Sequence, residues 1–458
     1  MIENDAFKLL LINLFHLNPD DIANIFCTTF NKMMVLLVTL ADKHQACPYC
    51  GFTAPKIKEY VTKEITHSAL TTQKCIIKYR ARRYKCPCCG KTYYEFNPFV
   101  FKSQKISILT VHNILKDLKD FNETFTSVAR RYHVSPTSVS TIFDNHVDIG
   151  RNPLPEIINF DEVYAFKSEK SKYVCVLLDF KKQIPVDVLP NRKKEYLLNY
   201  FQKIPLEERK KVKYACSDMY EVYRDVVHKV FPCSCMLLDY FHLSQDFHRK
   251  MNEVRIKVMK GYKDDKASDE YYLLKKFNWL LFKNPEDEDK YGRLFDVERE
   301  RKYNSHFKSY MNYYDLRRKL LEINNDLTIC YSLKLELVDF YSKSTIDNVQ
   351  VNLEHLIRSC IDTNIEEMIA FSNNLINWKQ EIINSFTIVG TEYKVEADKG
   401  QVVVCNKKVN NAIIENRNKI IKCIKNNANG YTNWSRFRNR VMYVLDPNTT
   451  FSLEPREK

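Results

Sequence analysis

Glycine is scarce in this chain of 458 residues, which contains only eight copies. No two of them lie closer than ten residues apart. The Walker A loop and the GxGxxG turn of dinucleotide-binding folds both need closely spaced glycines that let the backbone approach a phosphate. The sequence therefore excludes the usual nucleotide-cradling ATPases and Rossmann dehydrogenases, and it predicts no nucleotide cofactor.

Long apolar runs are also missing. The longest, Met33–Ala41, has nine residues, which is too short to span a bilayer. Glu3 and Asp5 stand where a secretory signal would carry positive charge. We therefore expect a cytoplasmic protein without a membrane-spanning segment. In that compartment the fifteen cysteines are expected to bind metal or pack in the core rather than to form disulfides.

Acidic residues are outnumbered, because 57 Asp and Glu stand against 71 Lys and Arg, for a net charge of +14. Such an excess indicates a polyanionic partner, most often nucleic acid and less often an anionic membrane surface. A hydrophobic content of 45% provides for a sizeable core, and a chain of this length predicts roughly three or four domains.

Two cysteine pairs have the most specific spacing in the chain. Cys47 with Cys50, and Cys86 with Cys89, each form a C-x-x-C turn followed by glycine. Two such turns supply the four thiolates of a tetrahedral structural zinc site. Cys88 remains an alternative ligand, and chance clustering of core cysteines is the competing interpretation. The basic residues that lead into the second pair are interpreted as phosphate contacts or as a solvated face: Arg80, Arg82, Arg83 and Lys85.

The segment from Thr126 to Phe143 fits two helices joined by a turn. Ser135 is a suitable N-cap for the second helix, and Pro136 suits its first position. In a DNA-binding helix-turn-helix the second helix enters the major groove, whereas ordinary helix packing is the alternative. The candidates for its groove-facing side are Thr137, Ser138, Ser140 and Thr141.

Short strand-like runs alternate with helical ones between residues 156 and 239. Three strand-like runs come first, and the alternation that follows predicts a mixed sheet flanked by helices. From about residue 243 to 395 the sequence is typical of charged helices. A short strand-like stretch, Gln401–Cys405, precedes a final helix from about Asn411.

Three acidic residues lie at the ends of predicted strands or in the final predicted helix. Asp161 closes the first strand-like run, Asp218 follows a later one, and Glu415 lies in the final helix. Carboxylates from two neighbouring strands and a crossing helix can hold two magnesium ions, which clamp the attacking and leaving oxygens of a phosphodiester. Taken singly, each of these residues is more often a helix cap or a solvated charge.

The sequence around these residues resembles a known family. CPYCG and RRYKCPCCG look like its N-terminal zinc finger, SVARRYHVSPTSVSTIF is similar to its helix-turn-helix, and NFDEV, SDMYEVYRDVV and NAIIENRNKIIKC are similar to its three catalytic blocks. The family is that of the ISL3-type insertion-sequence transposases of bacteria, DDE enzymes with a ribonuclease-H-like core. The resemblance covers most of the chain and implies that Asp161, Asp218 and Glu415 are catalytic metal ligands.

The resemblance also implies a multidomain α+β architecture, in which a ribonuclease-H-like mixed α/β core carries a large all-helical insertion and follows a zinc ribbon and a helix-turn-helix. In chain order we expect a helical lead-in, the zinc ribbon, the helix-turn-helix, the first part of the core, the insertion, the last part of the core with the Glu415 helix, and a tail. These correspond to residues 1–46, 47–100, 101–150, 151–242, 243–395, 396–445 and 446–458.

Two further features adjoin the acidic residues. Asp239 and His242 form a D-x-x-H element that either orients metal, water or DNA or is a capping aspartate with a packed histidine. Residues 416–445 contain no acidic residue. The seven basic residues in this interval are candidates for DNA contact, although a Glu–Lys pair that only stabilises the helix is the alternative for the nearest of them: Arg417, Lys419, Lys422, Lys425, Arg436, Arg438 and Arg440.

The activity that the resemblance implies is transposition. The zinc ribbon and helix-turn-helix would bind the terminal inverted repeats of the element. Two magnesium or manganese ions would support cleavage of a DNA strand and its transfer to target DNA. Both element ends must be held together, so a homodimer or a larger assembly on DNA, associated with the nucleoid, is expected. The alternatives are a DNA-binding regulator with an inactive core, and a nuclease of the same fold without strand transfer.

Overall fold

The structure is a computed structural model that describes residues 2–43, 45–70, 72–101, 104–166, 171–395 and 402–456. Four regions follow one another: an N-terminal sheet, a group of three helices, a mixed five-stranded sheet, and a mainly helical region inserted before the last two helices. Among the described residues, no helix has the length and apolar character needed to cross a membrane.

The N-terminal region contains α1 (Ile2–Leu14), β1 (Ile22–Phe30), β2 (Met33–Leu40), β3 (Lys56–Thr66), β4 (Cys75–Lys85) and β5 (Thr92–Tyr94). The five strands form one sheet in the order β1-β2-β4-β3, with β5 paired to β4. The prediction of a helical lead-in over residues 1–46 is wrong beyond α1. Alternate residues of β2, namely Leu36, Val38 and Leu40, are buried, which is the period of a strand, and β2 pairs in parallel with β4.

Three helices form the next region: α2 (Ile108–Asp117), α3 (Phe125–Arg131) and α4 (Pro136–His146). Ser135 caps α4 by accepting a hydrogen bond from the backbone N–H of Ser138 at 3.0 Å, and Pro136 is the first helical residue. The two helices predicted around Ser135 therefore form. Val139 and Phe143 are fully buried in a core shared by all three helices.

The mixed sheet contains β6 (Ile157–Val163), β7 (Val174–Asp179), β8 (Ile184–Leu189), β9 (Tyr214–Ser217) and β10 (Cys235–Leu238). Their order is β10-β9-β6-β7-β8. The pairs β6–β7 and β7–β8 are antiparallel, whereas β9 runs parallel to β6 and β10 runs parallel to β9. The connections hold α5 (Lys194–Gln202), α6 (Leu206–Arg209) and α7 (Glu221–Val230). Residues of α5 and α7 cover one face of the sheet, so the predicted mixed sheet with flanking helices is confirmed.

The inserted region has its own apolar core. Its helices are α8 (Tyr240–Lys260), α9 (Asp269–Lys276), α10 (Tyr313–Glu322), α11 (Asn325–Lys343), α12 (Val349–Asp362), α13 (Glu366–Asn377) and α14 (Lys379–Asn384). Two hairpins interrupt them: β11 (Glu288–Asp289) with β12 (Gly292–Arg293), and β13 (Lys302–Asn304) with β14 (Ser309–Met311). The prediction of an all-helical insertion is wrong here. Gly292 in the first hairpin and Lys308 in the second have φ values of +96° and +50°, which a right-handed α-helix excludes.

The last elements are the hairpin of β15 (Ile388–Val395) with β16 (Val402–Lys408), and the helices α15 (Ala412–Asn427) and α16 (Trp434–Leu445). The predicted strand Gln401–Cys405 begins at Val402 within the described residues, and Gln401 lies outside them. The helix predicted from about Asn411 is confirmed as α15, and a further helix that was not predicted, α16, follows it. Gly430, with a φ of +100°, follows α15 and donates its N–H to the carbonyl of Lys425. Residues of α15 and α16 cover the second face of the mixed sheet.

Candidate functional site

Three aspartates occupy equivalent positions in the pairing of three adjacent parallel strands of the mixed sheet. The pairing registers of β6 with β9, and of β9 with β10, align Asp161, Asp218 and Asp239. Asp161 lies within β6 rather than at its end, whereas Asp218 and Asp239 directly follow β9 and β10. Because these strands are parallel, the three carboxylates gather at one edge of the sheet.

Glu415 reaches the same edge from α15. This helix packs on β6 and β7, and its apolar residues Ile414 and Ile421 are fully buried. One ligand atom each of Glu415, Asp239 and His242 lies within 4.8 Å of the other two. The structure thus brings the three predicted carboxylates into one neighbourhood and adds the D-x-x-H pair to it.

The electrostatics of this cluster favour a bound cation. Burial, the charge of Asp218, and the charges of Glu415 and Asp239 together raise the pKa of Asp161 to about 7, although nearby His242 opposes the rise. Burial also raises the pKa values of Asp218 and Asp239. Carboxylates that share a buried site repel one another, and a divalent cation relieves that repulsion.

Two buried polar atoms in the cluster have no hydrogen-bond partner among the described residues: Asp218 Oδ1 and His242 Nε2. Such atoms are rare in proteins unless an ion or water satisfies them. Carboxylate oxygens are the preferred ligands of magnesium, and a histidine nitrogen also suits manganese. The donor set therefore fits a divalent metal, with Asp161, Asp218, Asp239 and Glu415 as the residues that would hold it.

A second ligand set lies in the N-terminal sheet. The sulfur atoms of Cys47, Cys50, Cys86 and Cys89 all lie within 4.8 Å of one another. The Cys47–Cys89 and Cys50–Cys86 sulfurs are 3.7 and 3.6 Å apart. Four sulfurs at about 2.3 Å from a tetrahedral zinc ion are about 3.8 Å apart, so the set fits zinc. Cys88, the alternative ligand, is exposed and lies outside this group.

The glycine after each cysteine pair closes the turn. Gly51 and Gly90 have φ values of +74° and +71°, which a residue with a side chain rarely adopts. Burial raises the pKa of the Cys86 thiol, but hydrogen bonds from the backbone N–H groups of Cys89 and Cys88 outweigh burial and lower the pKa to about 7. The backbone of the second turn thus favours the thiolate form of Cys86, which is the form that binds zinc.

A family profile described as a transposase of the ISL3 type matches residues 158–397, just over half of the chain. The chain belongs to the ISL3 family of insertion-sequence transposases. The matched part contains Asp161 and Asp218, and Glu415 lies beyond it. The chain is also similar to the "Transposase for insertion sequence element IS1001" of Bordetella parapertussis, with 20% identity over 411 residues that cover 89% of this chain and 90% of the relative.

Several basic residues of this transposase that were predicted to touch DNA have partners inside the protein. Arg440 is only 1% exposed and donates to the carbonyls of Asp120 and Glu123 at 2.7 and 2.8 Å. A buried guanidinium cannot reach a phosphate, so the prediction is wrong for Arg440. Two more arginines of α16 form ion pairs with carboxylates of α4 and β8: Arg436 with Asp144, and Arg438 with Asp187.

Of the predicted basic residues of α15, two contact other parts of the protein and two are exposed. Arg417 donates to the carbonyl of Gln183, and Lys425 lies 4.9 Å from the centre of the Tyr164 ring. Lys419 and Lys422 are exposed. These two lysines are therefore the members of the predicted basic strip that are most accessible to a DNA backbone.

The four candidate basic residues of the N-terminal sheet likewise include two that pair with carboxylates of the protein and two that are exposed. Arg82 donates from Nη1 to Glu95 at 2.8 Å and is largely buried, so its role is structural. Arg83 pairs with Glu59. Arg80 and Lys85 are exposed and stay candidates for phosphate contact.

The second helix of the α3–α4 pair presents two of its four candidate residues. Thr137 and Thr141 are exposed. Ser138 lies with its hydroxyl 2.8 Å from that of the capping Ser135. Ser140 is buried and donates to the carbonyl of Thr137 at 2.9 Å, so the prediction that Ser140 faces a DNA groove is wrong.

Sequence reasoning missed Arg192. Its guanidinium lies between the rings of Tyr173 and Tyr220, 4.6 and 4.8 Å from their centres. It forms an ion pair with Glu162, and its charge counters the burial that raises the pKa of Asp218. No sequence spacing singles it out, because its partners come from three separate segments of the core.

Proposed function

We propose that this transposase binds the terminal inverted repeats of its insertion sequence, cuts the DNA there and joins the freed end to target DNA. The observation that carries the proposal is the convergence of Asp161, Asp218 and Glu415, from two strands and a helix, on one edge of the mixed sheet. Acidic residues so placed in a transposase are suited to hold divalent metal ions.

Bound magnesium or manganese supplies a Lewis acid and a more acidic water for attack on a phosphodiester. Asp161, Asp218, Asp239 and Glu415 would hold these ions, with His242 beside them. Arg192, which lies over two tyrosine rings and whose charge opposes the rise in the pKa of Asp218, would place a planar cation against a neighbouring DNA phosphate. No side chain here is needed as a covalent nucleophile, because water and a DNA 3′-hydroxyl serve as the attacking groups.

The sheet supports a ribonuclease-H-like core for this chemistry. An antiparallel meander of β6, β7 and β8 is followed by β9 and β10, which run in the direction of β6, and helices cover both faces. In this arrangement the region from α8 to α14 is an insertion between the second aspartate and the glutamate helix.

Recognition of the DNA ends would fall to the N-terminal regions. The zinc site would hold the tight turns of the N-terminal sheet, which exposes Arg80 and Lys85 to phosphates. Helix α4 would enter the major groove with Thr137 and Thr141, while Lys419 and Lys422 would meet the backbone near the metal site. Two element ends require at least two protomers, so the active species would be a dimer or a larger assembly on DNA.

The test is strand cleavage of a DNA fragment that carries the repeats flanking the gene. Wild type is compared with Asp161→Asn, Asp218→Asn and Glu415→Gln, each with magnesium and with EDTA. The matched control is Glu322→Gln, an exposed residue of α10. The proposal expects magnesium-dependent nicking at the repeat tip by wild type and the control, and binding without nicking by the three variants. Binding with no cleavage by any assembled form would favour a regulator, and nicking by all variants would exclude this site.

A further inference from the structure

Asn418 lies one turn beyond Glu415 in α15 and contacts Asp161. Its Nδ2 donates to Asp161 Oδ2 at 2.7 Å, and the residue is only 6% exposed. Residues three apart lie on the same side of a helix. One side of α15 therefore supplies both a carboxylate and an amide to the same edge of the mixed sheet.

The start of α15 is fixed on β6 by two other buried asparagines. Asn159 Nδ2 donates to Asn411 Oδ1 at 2.7 Å and to the carbonyl of Asn410 at 2.8 Å. Asn411 Nδ2 in turn donates to the carbonyl of Phe160 at 3.4 Å. Both Asn159 and Asn411 are fully buried. These hydrogen bonds fix the position of α15 on β6. The contact between Asn418 and Asp161 therefore follows from the packing of this helix on the sheet.

The amide is chemically suited to orient a carboxylate that must bind metal. Asp161 Oδ1 accepts the backbone N–H of Glu162 at 2.7 Å, and Oδ2 accepts the Asn418 amide, so both oxygens are fixed in direction. Each carboxylate oxygen has a second lone pair that stays available. An amide carries no charge, so it orients Asp161 without neutralising the negative charge that attracts the ion.

The other end of the amide has no evident stabilising role. Asn418 Oδ1 is buried and has no hydrogen-bond partner among the described residues. A buried polar atom without a partner is unfavourable, and leucine, of similar shape, would avoid that penalty. An amide at this position is therefore better explained by its contact with Asp161 than by packing.

We infer that Asn418 is a positioning residue that sets the orientation of Asp161 for metal binding. The inference rests on the proposed function, because it assumes that Asp161 is a metal ligand. Hydrogen-bond partners that orient metal ligands are typically worth about 10–100-fold in metal affinity. Replacement of Asn418 should therefore weaken metal binding by that factor while the chain remains folded.

The test measures manganese binding to the full chain without DNA, from the electron paramagnetic resonance signal of free Mn²⁺. The variants are Asn418→Leu, Asp161→Asn and the double variant, and the control is Asn416→Ala, an exposed asparagine of the same helix. Circular dichroism and thermal melting report folding. Should Asn418→Leu fail to fold, Asn418→Ser replaces it, because a serine hydroxyl is too short to span the contact.

The inference expects Asn418→Leu to bind Mn²⁺ roughly 10–100-fold more weakly than wild type, the control to match wild type, and the double variant to bind no more weakly than Asp161→Asn. Wild-type affinity in a folded Asn418→Leu protein would overturn the inference and leave the proposed function intact. An equal loss in the Asp161→Asn background would also overturn it, because Asn418 would then act independently of Asp161. Failure of wild type to bind Mn²⁺ would overturn the proposed site together with the inference.

Discussion

Arg436 of α16 donates three hydrogen bonds to Asp144 of α4, from Nε to Oδ1 at 2.9 Å and to Oδ2 at 3.2 Å, and from Nη2 to Oδ2 at 2.6 Å. Helix α16 directly follows the helix of Glu415, and α4 is the helix proposed to enter the DNA groove. The pair therefore joins the proposed recognition helix to a helix that packs on the mixed sheet, which carries the proposed metal site. A DNA end bound by α4 would lie at a fixed position relative to the carboxylates, as phosphoryl transfer requires.

Replacement of the buried arginine in the same helix should destabilise this junction. We expect Arg440→Met to lower the free energy of unfolding by about 3 kcal/mol, because the carbonyls of Asp120 and Glu123 lose their donor and each unsatisfied group costs roughly 1–3 kcal/mol. The exposed Lys422→Met should change it by less than about 0.5 kcal/mol. Urea denaturation followed by tryptophan fluorescence measures both variants. Equal midpoints for the two variants would contradict the structural role of Arg440.

The zinc assignment predicts one zinc ion per chain. We expect Cys47→Ser and Cys86→Ser to lose zinc, because each removes one of four ligands, and Cys88→Ser to retain it, because Cys88 lies outside the sulfur cluster. Plasma mass spectrometry of protein purified without added metal gives the zinc content. Loss of zinc from the Cys88→Ser protein would show that the ligand set is different.

Two neighbouring residues of α4 offer a matched test of DNA recognition. Thr141→Ala should weaken binding to the terminal repeat about fivefold, a loss on the order of 1 kcal/mol, because Thr141 is exposed on the proposed groove-facing side. Ser140→Ala should leave binding unchanged, because Ser140 is buried and its hydroxyl donates within the helix. Fluorescence anisotropy with labelled repeat DNA compares them. Equal effects of the two substitutions would count against α4 as the reading helix.

The raised pKa of Asp161 predicts how the metal-free protein responds to pH. Its pKa rises from an ordinary 3.8 to about 7, through burial first and the charge of Asp218 second. Between these values the folded chain binds more protons than the unfolded chain, so stability falls as pH rises through this window. With EDTA present, the melting temperature should fall more steeply from about pH 4 to pH 7 for wild type than for Asp161→Asn. Magnesium should reverse part of the fall for wild type. Parallel curves for the two proteins would contradict the assignment.

The sequence allowed much of the mixed sheet to be predicted, because its strands are short apolar runs separated by helices of ordinary length. The strands Ile22–Phe30 and Met33–Leu40 were not predicted, although they too are short apolar runs. A short apolar run has no periodicity that separates a buried strand from a buried helix, and the pairing of β2 with β4 joins segments far apart in the chain. Pairing between distant segments, rather than the local sequence pattern, therefore makes these residues strands.

Some residues of the candidate site could be predicted from the sequence, and others could not. Asp161, Asp218 and Glu415 could be named because the sequence around each of them resembles a catalytic block of the family, and acidic residues near strands and in a late helix are compatible with a metal site. Asn418 could not be named, since an asparagine within a helix has no distinguishing pattern and its partner lies 257 residues away. The burial of Arg440 was equally hidden, because an arginine in a basic strip is almost always exposed.

Strand transfer tests the central claim most directly. A DNA duplex that carries the terminal repeat and already ends in a free 3′-hydroxyl is incubated with a supercoiled plasmid, so that joining is measured apart from cleavage. We predict joined product with wild-type protein and magnesium, none with EDTA, none with Glu415→Gln although it binds the repeat, and no DNA covalently attached to protein. Joining in EDTA, joining by Glu415→Gln at the wild-type rate, or a covalent protein–DNA product would contradict it.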